Sequence, residues 1–228
     1  MIKCRFIDMK KACIISAFLF WGILLLLEFG GNEMLAAVFP RELLAEYTNP
    51  VFYGTFLIAS VIVFRKPFLS AIEDLKKNWQ KHILWTEIFA LISFVVMVAS
   101  SIALEIFGVE KSFNETAWDI AIAECGVLQV LVVCISGPVV EEVFYRGILF
   151  EALRGKENRL VRNIAAVIIS SVIFAFSHVS LASFTIGDML ANIPVLMAGL
   201  AYSTLYWKTG NILCTIVVHM IINVIAVL

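Results

Sequence analysis

Glu141-Glu142-Val143-Phe144-Tyr145-Arg146 sets three charges within six residues, between the apolar runs Val127–Val140 and Gly147–Phe150. A charge at the centre of a membrane helix costs about 2.5–3.5 kcal/mol. Such a cluster needs partners, water or a chemical task. Glu142 and Arg146 are four apart with the acid first, the favourable order for a helical ion pair. Glu141 points about 100° away around the helix and has no cation on its own face. It must meet a cavity or other polar groups, where it can exchange protons with a substrate.

The chain holds three histidines. His82 sits in a basic loop and reads as an interfacial residue. His178 ends the run Phe174-Ala175-Phe176-Ser177-His178, and His219 lies in the last apolar run, with Asn223 four residues on along the same face. Glu141, His178 and His219 form a His₂Glu set that suits zinc or a similar divalent ion with one position open to water. Without metal the same groups could still cleave an amide: Glu141 takes a proton from water while His219 and Asn223 stabilise the oxyanion. Both routes are hydrolysis by activated water. HExxH, GxSxG and glycine-rich phosphate-loop patterns are absent from the sequence.

These side chains must be carried by membrane helices. Of 228 residues, 61% are hydrophobic and only 15% charged, and mean hydropathy is +0.96. A net charge of −1 gives no footing for nucleic acid. The apolar residues fall in seven blocks: Ala12–Leu27, Leu44–Phe64, Ile83–Leu104, Ile120–Val140, Ile164–Phe176, Met189–Trp207 and Asn211–Leu228. A bilayer crossing takes roughly 20 residues, so the first and fifth are short. Backbone polar groups in lipid pair within a helix or a closed barrel, and runs this long without alternation exclude the barrel. The expected fold is all-α: one transmembrane domain over 1–228, about seven helices, and a further interfacial helix over Arg65–Lys81. In that segment Phe68, Leu69, Ile72, Leu75 and Trp79 recur at helical spacing beside Lys76, Lys77 and Lys81.

Lys and Arg alternate between loops. Lys3, Arg5, Lys10 and Lys11 lead the first run, and the second and fourth loops are basic, whereas the first, third and fifth are nearly free of cations. This positive-inside pattern puts the N-terminus in the cytoplasm and the C-terminus outside. The basic lead and apolar run at the start read as a retained anchor. Five cysteines without a CxxC read as small apolar residues. Ser136-Gly137-Pro138 is a breaker: the fourth span should kink there, or restart with Pro138 in its first turn, and run on to about Leu153. At about 1.5 Å per residue, Glu141, His178 and His219 lie roughly 20, 24 and 16 Å from the nearest cytoplasmic cations, so a shared depth is feasible.

Three motifs occur in order: EExxxR at Glu141–Arg146, FxxxH at Phe174–His178 and HxxxN at His219–Asn223. Together they resemble the CPBP family, which groups CAAX prenyl endopeptidases with bacterial bacteriocin-processing and self-immunity (Abi) proteins. The resemblance covers about 126–228. It implies an intramembrane endopeptidase in the cell membrane, acting on peptide or protein substrates in or at the bilayer. By position, Glu141 would activate water, with Glu142 and Arg146 as the supporting pair. His178 would hold water or metal, and His219 with Asn223 would stabilise the oxyanion or complete a metal site. Both a metalloprotease and a metal-free glutamate mechanism are associated with the family.

Blander readings stand beside this one. The cluster could be polar glue between helices, or a proton relay in a small transporter. The same fold could also serve as a non-catalytic immunity or scaffold protein. Tyr202, Trp207 and Trp85 read as packing and interface belt. Gly187-Asp188 reads as a turn, with Asp188 a weak site candidate.

Overall fold

The computed structural model describes residues 36–155, 159–179 and 185–228, together with Leu19 and Gly22. Apart from those two residues, the expected anchor Ala12–Leu27, its basic lead, Cys4 and Cys13 lie outside the described residues, as do Lys156 and 180–184 of the fifth loop.

The described residues form helices and no strand. They are α1 (Arg41–Val63), α2 (Arg65–Lys77), α3 (Trp79–Ile106), α4 (Phe113–Cys125), α5 (Val127–Arg154), α6 (Leu160–Phe176), α7 (Ile186–Ala191), α8 (Ile193–Thr209) and α9 (Ile212–Val227). The architecture is an all-α membrane helix bundle. α3, α5 and the α7–α8 stretch are long and apolar enough to cross a bilayer, and α1 joins them if it is counted with α2 across a 74° bend. α6 and α9 have only 17 and 16 residues.

Local chemistry sets the helix ends. Ser112 caps α4 by accepting from the Glu115 N–H at 3.1 Å, and Asn211 caps α9 by accepting from Leu213 at 3.1 Å. Gly210 ends α8 in the left-handed region at φ 62°. Asp188 lies in the first turn of α7, where Thr185 caps it at 3.0 Å. Its carboxylate also accepts from the Phe113 N–H at 2.9 Å, so it fastens two helix starts rather than serving the site.

α2 forms within the expected segment but ends at Lys77, so Trp79 and Lys81 fall in α3. Lys66, Lys76 and Lys77 are exposed, and Phe68 packs inward. His82 departs from its interfacial reading. It is 1% exposed and bonds Asp74 through Nε2 at 3.0 Å. Asp74 also lies 3.5 Å from the Asn211 amide, which donates to the Ala71 carbonyl at 2.8 Å. This polar clasp closes the bent α1–α2 pair against the α8–α9 turn.

The expected kink at Ser136-Gly137-Pro138 is also displaced. The chain breaks at Gly126, where φ is +64°, and α5 then runs unbroken to Arg154. Pro138 is absorbed by a π-helical turn over Val132–Ser136, with the α-helical register resuming at Gly137. Widening the turn removes the clash between the proline ring and the preceding carbonyl. The expected restart at Pro138 does not occur, whereas the run to about Leu153 holds.

The bundle is apolar outside and polar within. Val61, Leu91, Val95 and Val161 are exposed, while Gln129, Ser170, Ser171, Ser203 and Thr215 are fully enclosed. Lipid removes the hydrophobic drive between helices, so close packing and polar contacts hold them. α6 and α8 show this most clearly. Ser170 and Ser171 lie 3.0 and 3.2 Å from the Ser203 hydroxyl. A Cβ on Gly199 would sit 3.0 Å from Phe174 Cδ1 and 3.3 Å from Ser171 Cα. Gln129 fastens α5 to α1 by donating to the Ala45 and Glu46 carbonyls at 3.2 and 3.1 Å.

Candidate active site

α5 supplies the charges. Glu142 and Arg146 pair at 2.7 Å, both fully buried, as their spacing requires. Breaking such a pair would strand a charge at a cost of several kcal/mol, so neighbours wrap it. Arg146 donates a second bond to the Gly199 carbonyl at 3.1 Å. Its guanidinium also lies 4.7 Å from the Phe174 ring centre and 5.3 Å from that of Tyr202. Gly199 therefore serves twice, admitting α6 closely and offering its carbonyl.

α9 brings His219 to this pair. Its Nδ1 lies 2.9 Å from the Glu142 carboxylate, and a carboxylate only accepts, so Nδ1 carries the proton. Tyr202 stacks on the imidazole at 4.8 Å, and Phe174 meets it edge-on at 5.8 Å. Nδ1 and both faces being engaged, Nε2 is the atom left for chemistry. It points to Glu141, 3.8 Å away. Glu141 retains partial exposure while Glu142 has none. The adjacent acids thus divide the work as expected, one structural and one facing open space.

His178 stands at the end of α6. Its Nδ1 donates to the Phe174 carbonyl at 2.8 Å, which leaves the Nε2 lone pair to accept. The Phe174 ring lies 4.8 Å from that imidazole and 5.0 Å from Tyr145. Phe174 therefore touches both histidines and the arginine, which accounts for a large aromatic four residues before His178.

Asn223 anchors α9 to α5. Its amide donates to the Val133 carbonyl at 2.8 Å. Gly137 N–H bonds Val132 in the π register. In that register the Val133 carbonyl would take the next N–H, which Pro138 does not have. Asn223 satisfies a carbonyl left open by the proline and locks α9 against α5 about two turns before Glu141.

Among the described residues, no three His, Cys, Asp or Glu side chains are gathered so that they could hold a metal ion. The Glu141, His178 and His219 set is therefore not assembled as ligands, and no step below is routed through a metal. Sequence reasoning missed Tyr145, whose hydroxyl donates to Ser177 at 2.6 Å, and Gly199. It also read Tyr202 as packing or belt, whereas this residue is 1% exposed and forms a wall of the site. A glycine and serines inside apolar runs were the available signal for the α6–α8 contact.

The chain matches the model of the type II CAAX prenyl endopeptidase Rce1-like family over residues 123–225. It is 33% identical to the membrane-embedded CAAX protease MroQ of Staphylococcus aureus (strain USA300), over 59% of this chain and 52% of MroQ. It is 28% identical to YdiL of Bacillus subtilis (strain 168), named for a membrane peptidase, over 75% of this chain and 68% of YdiL. The chain thus spans about half the length of MroQ. No solved structure matches it.

Proposed function

We propose that the chain is a CAAX-protease-like intramembrane endopeptidase acting on peptides or proteins in or at the bilayer, a reading supported by its match to the Rce1-like model and its likeness to MroQ and YdiL. The observation that carries this reading is the 3.8 Å approach of a partly exposed Glu141 to His219, above an ion pair sealed from solvent. Glu141 takes a proton from water, and the hydroxide attacks the peptide carbonyl. A His219 ring carrying both protons presents Nε2–H to the oxyanion. Collapse breaks the C–N bond, and the proton held by Glu141 passes to the leaving nitrogen. His178, with its Nε2 lone pair free, accepts a hydrogen bond from water or a substrate N–H. Glu142 and Arg146 touch no substrate; they fix the His219 ring. The loop charges support a cytoplasmic N-terminus and an external C-terminus.

The test is cleavage by protein reconstituted in lipid nanodiscs, using internally quenched peptides with apolar C-terminal tails, prenylated and unprenylated. Glu141→Gln should abolish turnover without lowering the unfolding midpoint. His219→Ala should lower kcat by about 10²–10³. Full cellular function in both variants would instead support a non-catalytic immunity or scaffold role.

A further inference from the structure

Tyr53 lies in α1, outside the residues that match the family model and outside every motif of the sequence. Its ring reaches the site through a gap left by a glycine. A Cβ on Gly137 would sit 3.7 Å from Glu141 Oε1 and 3.8 Å from Tyr53 Cε1. The carboxylate and the hydroxyl-bearing edge of the ring therefore flank one small space, one residue before Pro138. Around it Phe52, Val140, Phe144 and Tyr145 are buried, and Tyr53 packs against that cluster. Tyr53 and Glu141 both keep partial exposure. The ring is held from the side by Phe52 at 5.2 Å and Trp118 at 6.4 Å.

A phenol here has a stiff two-torsion side chain and one O–H donor, whereas the hydroxyl of Tyr145 is already given to Ser177. On the peptidase reading, with which it stands or falls, we propose that Tyr53 is a further catalytic residue. Its hydroxyl donates a hydrogen bond to the substrate carbonyl oxygen from the α1 side. The nucleophile remains the water deprotonated by Glu141, and Tyr53 keeps its proton throughout. Its bond strengthens as charge grows on the carbonyl oxygen, so the gain falls on kcat rather than on substrate binding. Glycine at 137 is required by the Val132 carbonyl, 2.9 Å from where a Cβ would sit, and leaves the space beside Tyr53 and Glu141 open.

Tyr53→Phe removes the hydroxyl and keeps the ring. Measured on the quenched peptides, it should lower kcat by roughly a hundredfold with KM and unfolding midpoint unchanged. Gly137→Ala, which adds a methyl between the two groups and 2.9 Å from the Val132 carbonyl, should lower kcat as well. Turnover by Tyr53→Phe equal to the parent, in protein that Glu141→Gln inactivates, overturns the role of Tyr53 alone. A rise in KM at constant kcat also overturns it, because the hydroxyl would then bind substrate and transition state equally. Absence of cleavage by the parent protein overturns the peptidase reading and, with it, the role of Tyr53.

Discussion

Glu142 and His219, 77 residues apart in the chain, share a buried hydrogen bond of 2.9 Å, and the same carboxylate oxygen takes Arg146 at 2.7 Å. One oxygen thus joins the ion pair of α5 to the imidazole of α9, so stability and ring orientation rest on the same atom. The two can be separated experimentally. Glu142→Leu strands a fully enclosed guanidinium and should cost about 3–5 kcal/mol, read as a fall in unfolding midpoint. Glu142→Leu with Arg146→Met removes both charges at similar volume and should recover much of that loss. Peptide cleavage should stay lost in the double variant, because His219 has no anchor. Recovery of cleavage along with stability would show that the ion pair does not orient His219.

The α6–α8 contact gives a second expectation. Gly199→Ala brings a methyl to 3.0 Å from Phe174 Cδ1 and 3.3 Å from the Ser171 backbone. Backbone cannot yield as a flexible side chain would, so the helices must part, at about 1–3 kcal/mol. Parting also draws the Gly199 carbonyl from Arg146. A drop in both midpoint and kcat is expected. Gly54→Ala is the control: nothing lies within 4 Å of the added carbon, and it should be neutral or slightly stabilising.

A third expectation concerns metal. Among the described residues, Glu141, His178 and His219 are not gathered as a ligand set. Water activation by Glu141 alone should survive chelation. Cleavage measured after dialysis against a strong chelator should equal that of untreated protein. A loss restored by added zinc would reverse this and return the site to the His₂Glu reading.

The sequence made some of these features legible and hid others, for identifiable reasons. Glu142 and Arg146 were readable because i,i+4 spacing is a property of one helix. The convergence of Glu141 with His219 was readable only as chemistry in need of a partner. His82 was misread because its partner Asp74 looked like one more charge in a basic loop; only the 74° bend turns it inward. The break fell at Gly126 rather than at Pro138 because a π turn can absorb a proline when another helix supplies the missing donor. Tyr202 and Tyr53 read like the chain's other aromatics until the bundle closes around them.

That missing donor gives the sharpest prediction. If Asn223 exists to satisfy the Val133 carbonyl that Pro138 leaves open, the two residues are energetically coupled. Asn223→Ala alone leaves the carbonyl without its partner and should cost about 1–3 kcal/mol. Pro138→Ala restores an N–H in the position to bond Val133, so Asn223→Ala should cost much less in that background. The double-mutant cycle should show a coupling of roughly 0.5–3 kcal/mol, read from unfolding midpoints in one detergent. Activity separates the roles further. Where Asn223 acts by locking α9 against α5, Pro138→Ala should also recover part of the kcat lost in Asn223→Ala. Were Asn223 instead a direct oxyanion donor, the backbone repair would leave kcat as low as in the single variant, and the two stability effects would simply add.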